Sequence, residues 1–297
     1  MKTEKRKIGS WEFAFSPTVY ELTPEALNEA GTLIKAWQPV FPKENTWAQQ
    51  HFGIPSLFIR LDCVVNGTVK IFEIEERPAG MGTMNELHPG FKQRLKKAQQ
   101  DWPLIKLLVS PKRAGQDDYL WVEETSPEEA RQSTDCLLIR AEPEEIIFHE
   151  FETRSVSSLK RKGDKSYGLP MGLWEEVTVN DLPRLDWSKG FCLKEKQTSK
   201  TRGIEIWHPR KNQLSSQGIG GVSTRTRIEN ILKEKGSMYY QPFIEPMESP
   251  VGQPMIFRIF FFYDFDKLEY VYAGGFWNSR PNLKIHGATD AVVGLVE

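Results

Sequence analysis

The sequence predicts an α+β fold, and three observations support this fold class. Residues 22–37 begin with Leu-Thr-Pro-Glu and place apolar residues at helical spacing, which predicts an amphipathic helix. Two β-rich runs within 57–76 meet at Asn66-Gly67. This dipeptide is typical of two-residue hairpin turns, because both central residues of such turns take positive φ. The apolar runs MIFRIFFFYDF and LEYVYAGGFW predict further strands near the end of the chain.

The segments between these elements alternate between helix and strand patterns. Residues 91–102 predict a short basic helix. PLIKLLVS, DDYLWVEE, SPEEARQS and CLLIRAEP predict, in this order, a strand–strand–helix–strand unit around 103–143. FCLKE at 191–195 and GIEIW at 203–207 predict a pair of strands, and TRTRIENILKEKG predicts the helix that follows them.

The run MYYQPFIEP predicts a strand that proline interrupts. Pro242 and Pro246 each lack an N–H, so this segment is not expected to be a regular central strand. Backbone groups of Phe243 and Ile244 would then stay unpaired and available to the edge of a planar ligand. The alternative is an edge strand that enters a loop.

The composition is that of a globular protein and argues against several classes of partner. The 297 residues are 39% hydrophobic and 27% charged, with a net charge of −1, so no excess of charge favours nucleic acid or a membrane surface. No apolar run has the length of a signal-peptide core or a membrane span. Cys63, Cys136 and Cys192 lie far apart within apolar runs, which indicates reduced thiols in a cytoplasmic protein.

The hairpin carries an unusual number of charges on one face. If Val65 faces Thr68 across the turn, Arg60 lies opposite Glu73, and Asp62 lies opposite Ile71 and diagonal to Glu73. The buried face would hold Ile59, Leu61, Cys63, Phe72 and Ile74. The other face would hold Arg60 with three carboxylates, those of Asp62, Glu73 and Glu75. Carboxylates suit Mg²⁺ and a guanidinium suits an oxyanion, whereas the alternative is a solvated sheet face with cross-strand ion pairs.

A second candidate site follows a later strand. Lys194 ends an apolar run and precedes a polar loop with Thr198 and Ser199, an arrangement that suits neutralisation of phosphates. The alternative is an ordinary β-hairpin with a solvated basic loop. The GIGG run at 218–221 lacks the preceding strand and the following acid of a dinucleotide site. No Ser/His/Asp order and no Cys/His metal spacing is present.

The order of these segments resembles the ATP-grasp superfamily. GDKSYGLPMGLW resembles the first nucleotide-binding lysine segment, with Lys165 as the matching lysine, and FCLKEKQTSKTRGIEIW resembles the second, with Lys194. YYQPFIEP resembles the hinge that receives adenine, and FRIFFF with NSRPNLKIHG resembles the strands that follow. The resemblance implies adenine contacts at Gln241, Phe243 and Ile244, a ribose ligand at Glu245, and groups near phosphates and substrate at Arg258, Arg280 and Asn282.

The metal-binding hairpin of the family normally comes last, but here FIRLDCVVNGTVKIFEIEERPAG stands near the start. The chain therefore resembles circularly permuted ATP-grasp proteins, whose hairpin would pack beside the C-terminal strands. Two departures are a glutamate, Glu75, where the family commonly has asparagine, and the absence of glycine from the loop after Lys194. The resemblance implies four segments: 1–100 as part of the metal-binding lobe, 101–154 as a small substrate-side region, 155–250 as the nucleotide-binding lid, and 251–297 as strands that complete the first lobe.

The resemblance implies an ATP-dependent ligase that joins a small-molecule carboxylate to an amine. ATP would bind in a cleft between two α+β lobes, with Lys165 and Lys194 near its phosphates and Mg²⁺ on Asp62, Glu73 and Glu75. Arg60 would face the transferred phosphate, while Arg258 and Arg280 would clamp the carboxylate or its acyl-phosphate. Two alternatives stay open: a small-molecule kinase on the same fold, and a nucleotide-binding module without catalysis. We expect a cytoplasmic protein with no nucleic-acid or membrane partner.

Overall fold

The computed structural model describes most of the chain as a set of three β-sheets with packed helices. The described residues are 3–8, 11–37, 58–75, 79–101, 105–111, 115, 117–121, 123–134, 136–141, 145, 148, 150–151, 154–157, 174–196, 203–286 and 290–297. The strands are β1 (Glu4–Ile8), β2 (Trp11–Phe15), β3 (Phe58–Asn66), β4 (Thr68–Glu75), β5 (Ile105–Val109), β6 (Glu124–Thr125), β7 (Cys136–Arg140), β8 (Ser155–Ser157), β9 (Glu175–Thr178), β10 (Phe191–Lys194), β11 (Ile204–Trp207), β12 (Ser237–Pro242), β13 (Met247–Glu248), β14 (Pro254–Asp264), β15 (Glu269–Ser279) and β16 (Val292–Val296). The helices are α1 (Pro24–Trp37), α2 (Met81–Leu87), α3 (Phe91–Asp101), α4 (Pro127–Gln132), α5 (Lys211–Ser216) and α6 (Arg225–Lys235).

The largest sheet brings the hairpin of the N-terminal half beside the C-terminal strands. Its order is β1-β2-β16-β15-β14-β3-β4, with β13 paired to β14. Strand β14 pairs antiparallel with β3, and this pairing aligns Arg258 with Asp62. The predicted packing of the hairpin is therefore confirmed. The predicted helix at 22–37 is confirmed as α1, and the one at 91–102 is confirmed as α3.

The register of the β3–β4 hairpin differs from the prediction. Gly67 alone separates two aligned residues, Asn66 and Thr68, and it takes a φ of 72°. A second shift lies between Asp62 and Cys63 of β3, where the paired strand β4 has one residue more than β3. Because of these two shifts, the predicted opposition of Arg60 to Glu73 and of Asp62 to Ile71 is wrong.

The extra residue is Phe72, and it forms a β-bulge. Ile71 still aligns with Cys63, whereas the next pair is Asp62 with Glu73. Ile71 and Ile74 both lie in the same buried cluster, while Phe72 is only half-buried and lies outside it. The prediction that Phe72 shares the buried face and Ile71 the acidic face is therefore wrong, because a bulge interrupts side-chain alternation.

Successive side chains of a strand point to opposite faces of the sheet, and helices cover both faces of the large sheet. On one face, Ile34 of α1 packs with Leu61 and Phe261. On the other face, Met84 of α2 and Phe91 of α3 pack in one cluster with other aromatic side chains of the sheet. Strands β1, β2 and β16 were not predicted. Strand β1 has no apolar pattern, because it is an exposed edge strand of mostly charged residues.

The second sheet is parallel, with the order β6-β5-β7-β8. It confirms the predicted unit around 103–143 in its first strand, its helix and its last strand. The predicted strand DDYLWVEE is wrong over its first half, because Asp118–Leu120 form a turn of 3₁₀ helix and only Glu124–Thr125 are extended. Leu108, Leu137 and Ile139 form its own core.

The third sheet is antiparallel, with the order β11-β10-β12-β9. It confirms the predicted pair FCLKE and GIEIW. Strand β12 lies between β10 and β9, so the prediction that the run MYYQPFIEP contains no regular central strand is wrong for its first residues. The predicted interruption by proline is confirmed, because β12 ends at Pro242. The Phe243 N–H donates to the Gly190 carbonyl at 3.0 Å, which also contradicts an unpaired backbone at Phe243. Gly190 permits this close approach, since a Cβ at that position would lie 2.8 Å from the Phe243 Cβ.

Two smaller predictions concern the thiols and the membrane. Cys63 is a buried free thiol and Cys192 a half-buried one, and burial raises the pKa of Cys192 to about 11. Among the residues that the structure describes, no helix has the length and apolar character to cross a membrane.

Candidate functional site

The antiparallel four-stranded sheet contacts the large sheet at the bulge of the β3–β4 hairpin. The Lys194 ammonium donates to the Phe72 carbonyl at 3.1 Å, and the Gln241 amide donates to the same oxygen at 3.5 Å. A bulge leaves its extra residue outside the ladder, so the Phe72 carbonyl is available to both donors. Lys194 and Gln241 are 7% and 3% exposed. We call these three residues the junction.

Strand register explains why the two donors of the junction lie together. Cys192 aligns with Gln241, and Lys194 lies two residues beyond Cys192 on β10. Directly paired residues and alternate residues share a face of a sheet, so all three point toward the hairpin. The opposite face carries Phe191 and Leu193, which pack in the cluster that includes α6.

Beside the junction, two arginines stand among the three predicted carboxylates. Arg60 Nε donates to Asp62 Oδ1 at 2.7 Å, and Arg60 Nη2 donates to Asp62 Oδ2 at 3.1 Å. The same Nη2 lies 3.0 Å from Glu75 Oε2, and Nη1 donates to the Ala79 carbonyl at 2.5 Å. Arg258 Nε lies 3.5 Å from Asp62 Oδ2 in an ion pair, and it has no hydrogen bond to any residue that the structure describes. Asp62 is therefore held between two guanidinium groups.

The two guanidinium groups differ in how far their charge is compensated. Burial of Arg60 opposes its charge, but Asp62 and Glu75 outweigh burial, and the pKa of Arg60 is raised. Burial lowers the pKa of Arg258; Asp62 opposes this effect, while the charge of Arg60 adds to it. The charge of Arg258 is therefore less well compensated than that of Arg60, and a further anion would stabilise Arg258 more.

The donor chemistry of Asp62, Glu73 and Glu75 suits Mg²⁺, which prefers carboxylate oxygens. They share one face of the paired strands β3 and β4, with Asp62 aligned to Glu73 and Arg60 aligned to Glu75. However, no group of three His, Cys, Asp or Glu side chains in the described part of the chain is close enough to hold a metal ion. As arranged, the set does not fit a magnesium centre. Binding of Mg²⁺ stays a prediction that requires the arginines to release these carboxylates.

The predicted hinge, residues 241–245, ends in Glu245, for which the sequence analysis predicted no protein partner. Glu245 Oε1 lies 2.7 Å from His208 Nε2 and 3.1 Å from Arg210 Nη2. The Phe243 ring meets the His208 ring edge-on, with centroids 5.2 Å apart. His208 was missed by the sequence analysis. No local pattern marks this contact, which arises because β11 and β12 both pair with β10, with Trp207 and Pro242 both aligned to Phe191.

Arg280 and Asn282 have partners within their own loop. Arg280 Nη2 pairs with Asp290 Oδ2 at 2.9 Å, and Nη1 donates to the Lys284 carbonyl at 3.2 Å. Asn282 Oδ1 accepts the Lys284 N–H at 2.8 Å, and Asn282 packs on Gly221 so closely that a Cβ there would clash. The GIGG run thus supports this loop. The predicted roles of Arg280 and Asn282 toward a ligand stay predictions.

A further polar side chain, also missed by the sequence analysis, lies on the face of the large sheet that carries Arg258. Asn278 is 1% exposed, and neither its Oδ1 nor its Nδ2 has a hydrogen-bond partner among the described residues. Arg258 aligns with Phe276, and its guanidinium lies 5.8 Å from the centre of the Phe276 ring. Asn278 follows two residues later and so shares that face. Buried amides are normally hydrogen-bonded, which makes Asn278 a candidate to bind a ligand.

Two predicted features lie outside the described residues. These are Lys165 and the loop with Thr198 and Ser199. Their predicted roles at phosphates therefore stay predictions.

Comparison with known proteins finds a weak likeness among solved structures. No family model matches the chain, and no curated protein matches it. Among solved structures, the chain is similar to a glutathione synthetase like-effector (GSS30) from Globodera pallida in its apoform. The two are 9% identical, with a TM-score of 0.38, over 95% of this chain and 88% of the other. A likeness at this TM-score does not indicate the fold or the activity of the chain.

Proposed function

We propose that this chain binds ATP between the four-stranded sheet and the polar face of the large sheet, and uses it to join a carboxylate to an amine. The observation that carries the proposal is the junction, where Lys194 and Gln241 meet the Phe72 carbonyl. Phe72 directly precedes Glu73, which aligns with Asp62. A buried ammonium is thereby held beside a cluster of carboxylates and guanidinium groups. The guanidinium groups can bind anions.

The residues of this site act by position and by charge, as expected for phosphoryl transfer. ATP would displace the Phe72 carbonyl from Lys194, and the ammonium would then neutralise phosphate oxygens. Arg258, the less compensated guanidinium, would orient the substrate carboxylate. An oxygen of that carboxylate attacks the γ-phosphorus, the bond to ADP breaks, and an acyl-phosphate forms. The amine then attacks the acyl carbon, phosphate leaves, and the proton of the amine passes to solvent or phosphate.

A second candidate function is nucleotide binding without turnover. One specific observation favours it: Arg60 is hydrogen-bonded to both oxygens of Asp62 and lies against Glu75. These bonds occupy Asp62 and Glu75, two of the three carboxylates that the resemblance assigns to Mg²⁺.

Thermal unfolding with ATP, with ATP and Mg²⁺, and with ATP and EDTA tests both candidates. A ligand at one hundred times its Kd stabilises the folded state by about 2.7 kcal/mol. We expect this shift in the wild type and a smaller one in Lys194→Met. The control is Lys189→Met, which changes a lysine whose side chain is 80% exposed. No shift under any condition would refute the proposal.

Turnover is measured next as ADP release. Release that requires both an acid and an amine supports the ligase, and release with a hydroxyl acceptor alone indicates a kinase. A shift on ATP binding without ADP release in any mixture of acids, amines and hydroxyl compounds supports the binding module. If the arginines release Asp62 and Glu75 to Mg²⁺, we expect both signals to depend on Mg²⁺.

A further inference from the structure

The side chain of Asn278 is a carboxamide that the fold buries without compensation. It belongs to β15 and is 1% exposed, and within the described ranges neither Oδ1 nor Nδ2 is hydrogen-bonded. A carboxamide carries two donor hydrogens and an acceptor oxygen. Burying these atoms without hydrogen bonds opposes folding, and departures from this rule are expected mainly at functional sites. The amide is therefore suited to bind a ligand that supplies the missing partners.

Asn278 is a neighbour of Arg258 on the polar face of the large sheet. Arg258 aligns with Phe276 on β15, and Asn278 follows Phe276 by two residues. Alternate residues of a strand share a face, so Asn278 and Arg258 lie on the face that carries Asp62. The Arg258 guanidinium lies over the Phe276 ring, 5.8 Å from its centre. Arg258 Nε, like the carboxamide, has no hydrogen-bond partner in the part of the chain that the structure describes.

The two side chains would be satisfied by different groups of one ligand. A guanidinium only donates, and its match is a carboxylate. Asn278 Nδ2 can donate to the same carboxylate, but Oδ1 needs a donor, which a carboxylate does not have. Diagonal neighbours on paired strands lie about 7–8 Å apart, so the donor belongs close to the carboxylate. A neutral donor suits this place better than an ammonium, because the charge of Arg258 lies on the same face.

We propose that Asn278 selects the acid substrate by accepting a neutral N–H or O–H donor on the carbon next to the carboxylate. The inference rests on the proposed ligase function, in which Arg258 orients that carboxylate. N-acylated α-amino acids carry such an N–H, and α-hydroxy acids carry such an O–H. Because Asn278 is 1% exposed, the acid displaces neighbouring groups when it binds. An acid without the donor leaves Oδ1 unpaired and is used less well.

The experiment measures kcat/KM for ATP-dependent formation of hydroxamates by the full chain, with hydroxylamine as the amine that traps the acyl-phosphate. Three acids are compared on each of the alanine, phenylalanine and glutamate skeletons: the N-acetyl amino acid, the α-hydroxy acid, and the O-acetyl ester of that hydroxy acid. The ester differs from the N-acetyl compound only in an oxygen that replaces the N–H. We expect a donor-bearing acid to exceed its ester by roughly tenfold to a hundredfold.

Two variants and a matched control assign this ratio to Asn278. The ratio should fall toward one in Asn278→Leu, and also in Asn278→Ala, which removes the same amide if Asn278→Leu folds poorly. Ser279→Ala is the control. Ser279 is adjacent and 0% exposed, and its Oγ also has no partner among the residues described. Its side chain points to the opposite face of the sheet, so this variant should keep the wild-type ratio.

Each outcome bears on a different statement. Absence of hydroxamate with every acid would overturn the ligase function and this inference together. Hydroxamate formed equally well from donor-bearing acids and esters would overturn only the inference. A ratio that persists in both Asn278 variants would refute the role of Asn278. Weaker binding of ATP alone to Asn278→Leu, measured by calorimetry, would place the amide at the nucleotide and overturn its assignment to the acid. Preference for the N-acetyl or the hydroxy compound identifies the donor as N–H or O–H.

Discussion

The pairing of Arg60 with Asp62 and Glu75 predicts a large loss of stability when the guanidinium is removed. Arg60→Met keeps most of the length of the side chain but deletes two hydrogen bonds to Asp62, of 2.7 and 3.1 Å, and a contact of 3.0 Å with Glu75. The side chains of Arg60 and Asp62 are 3% and 9% exposed. After the change, Asp62 keeps Arg258 at 3.5 Å as its ion-pair partner. Breaking one side of a buried pair costs about 3–5 kcal/mol.

The assay is equilibrium unfolding in urea, followed by the fluorescence of the nine tryptophans. Lys5→Met is the matched control, because it removes a lysine from an ion pair with Glu12 whose side chains are 76% and 57% exposed. Exposed pairs contribute about 0–1 kcal/mol. The double variant Arg60→Met/Asp62→Leu should recover part of the loss, since apolar side chains can replace a buried pair. If Arg60→Met costs no more than Lys5→Met, the carboxylates are not held by a buried guanidinium, and our reason for rejecting a preformed magnesium centre fails.

Three more substitutions test separate parts of the structure. Burial of Glu205 opposes ionisation, but hydrogen bonds such as those from Arg227 outweigh burial and lower the pKa of Glu205. The stability that the ionised Glu205 provides is present above the unfolded pKa of about 4.3, and it is lost as pH falls through the lower folded pKa. Urea unfolding of Glu205→Gln should therefore depend less on pH below about 4.3 than that of the wild type, and parallel curves would contradict this. Asn278→Leu removes two buried polar atoms that have no partner in the described part of the chain and should raise the free energy of unfolding by about 1–3 kcal/mol, whereas a decrease would show that a partner was lost. Gly190→Ala places a Cβ 2.8 Å from the Phe243 Cβ and should lower the melting temperature, corresponding to about 1–3 kcal/mol of overpacking; an unchanged melt would show that the hinge can move.

The sequence by itself determined the elements whose signals are local. Helix α1 follows from apolar periodicity after a Thr-Pro-Glu start, and the β3–β4 hairpin follows from Asn66-Gly67. Alternation of side chains along a strand also placed Arg60 and Asp62 on one face of the hairpin. These features were predictable because each depends on residues close together in the chain. The position of the hairpin beside the C-terminal strands was different, because it was implied by the resemblance of the segment order to circularly permuted ATP-grasp proteins and not by a local signal.

Only the tertiary structure decided which charged groups meet. The bulge at Phe72 lets Ile71 and Ile74 enter one core while Glu73 faces Asp62, and this depends on what packs on each face of the sheet. Arg258 reaches Asp62 from β14, and no local pattern specifies that pairing. His208 and Glu245 lie 37 residues apart and meet at 2.7 Å, because β11 and β12 both pair with β10. A contact between distant segments depends on sheet order, and sheet order is fixed by burial of the whole core rather than by any one stretch of sequence.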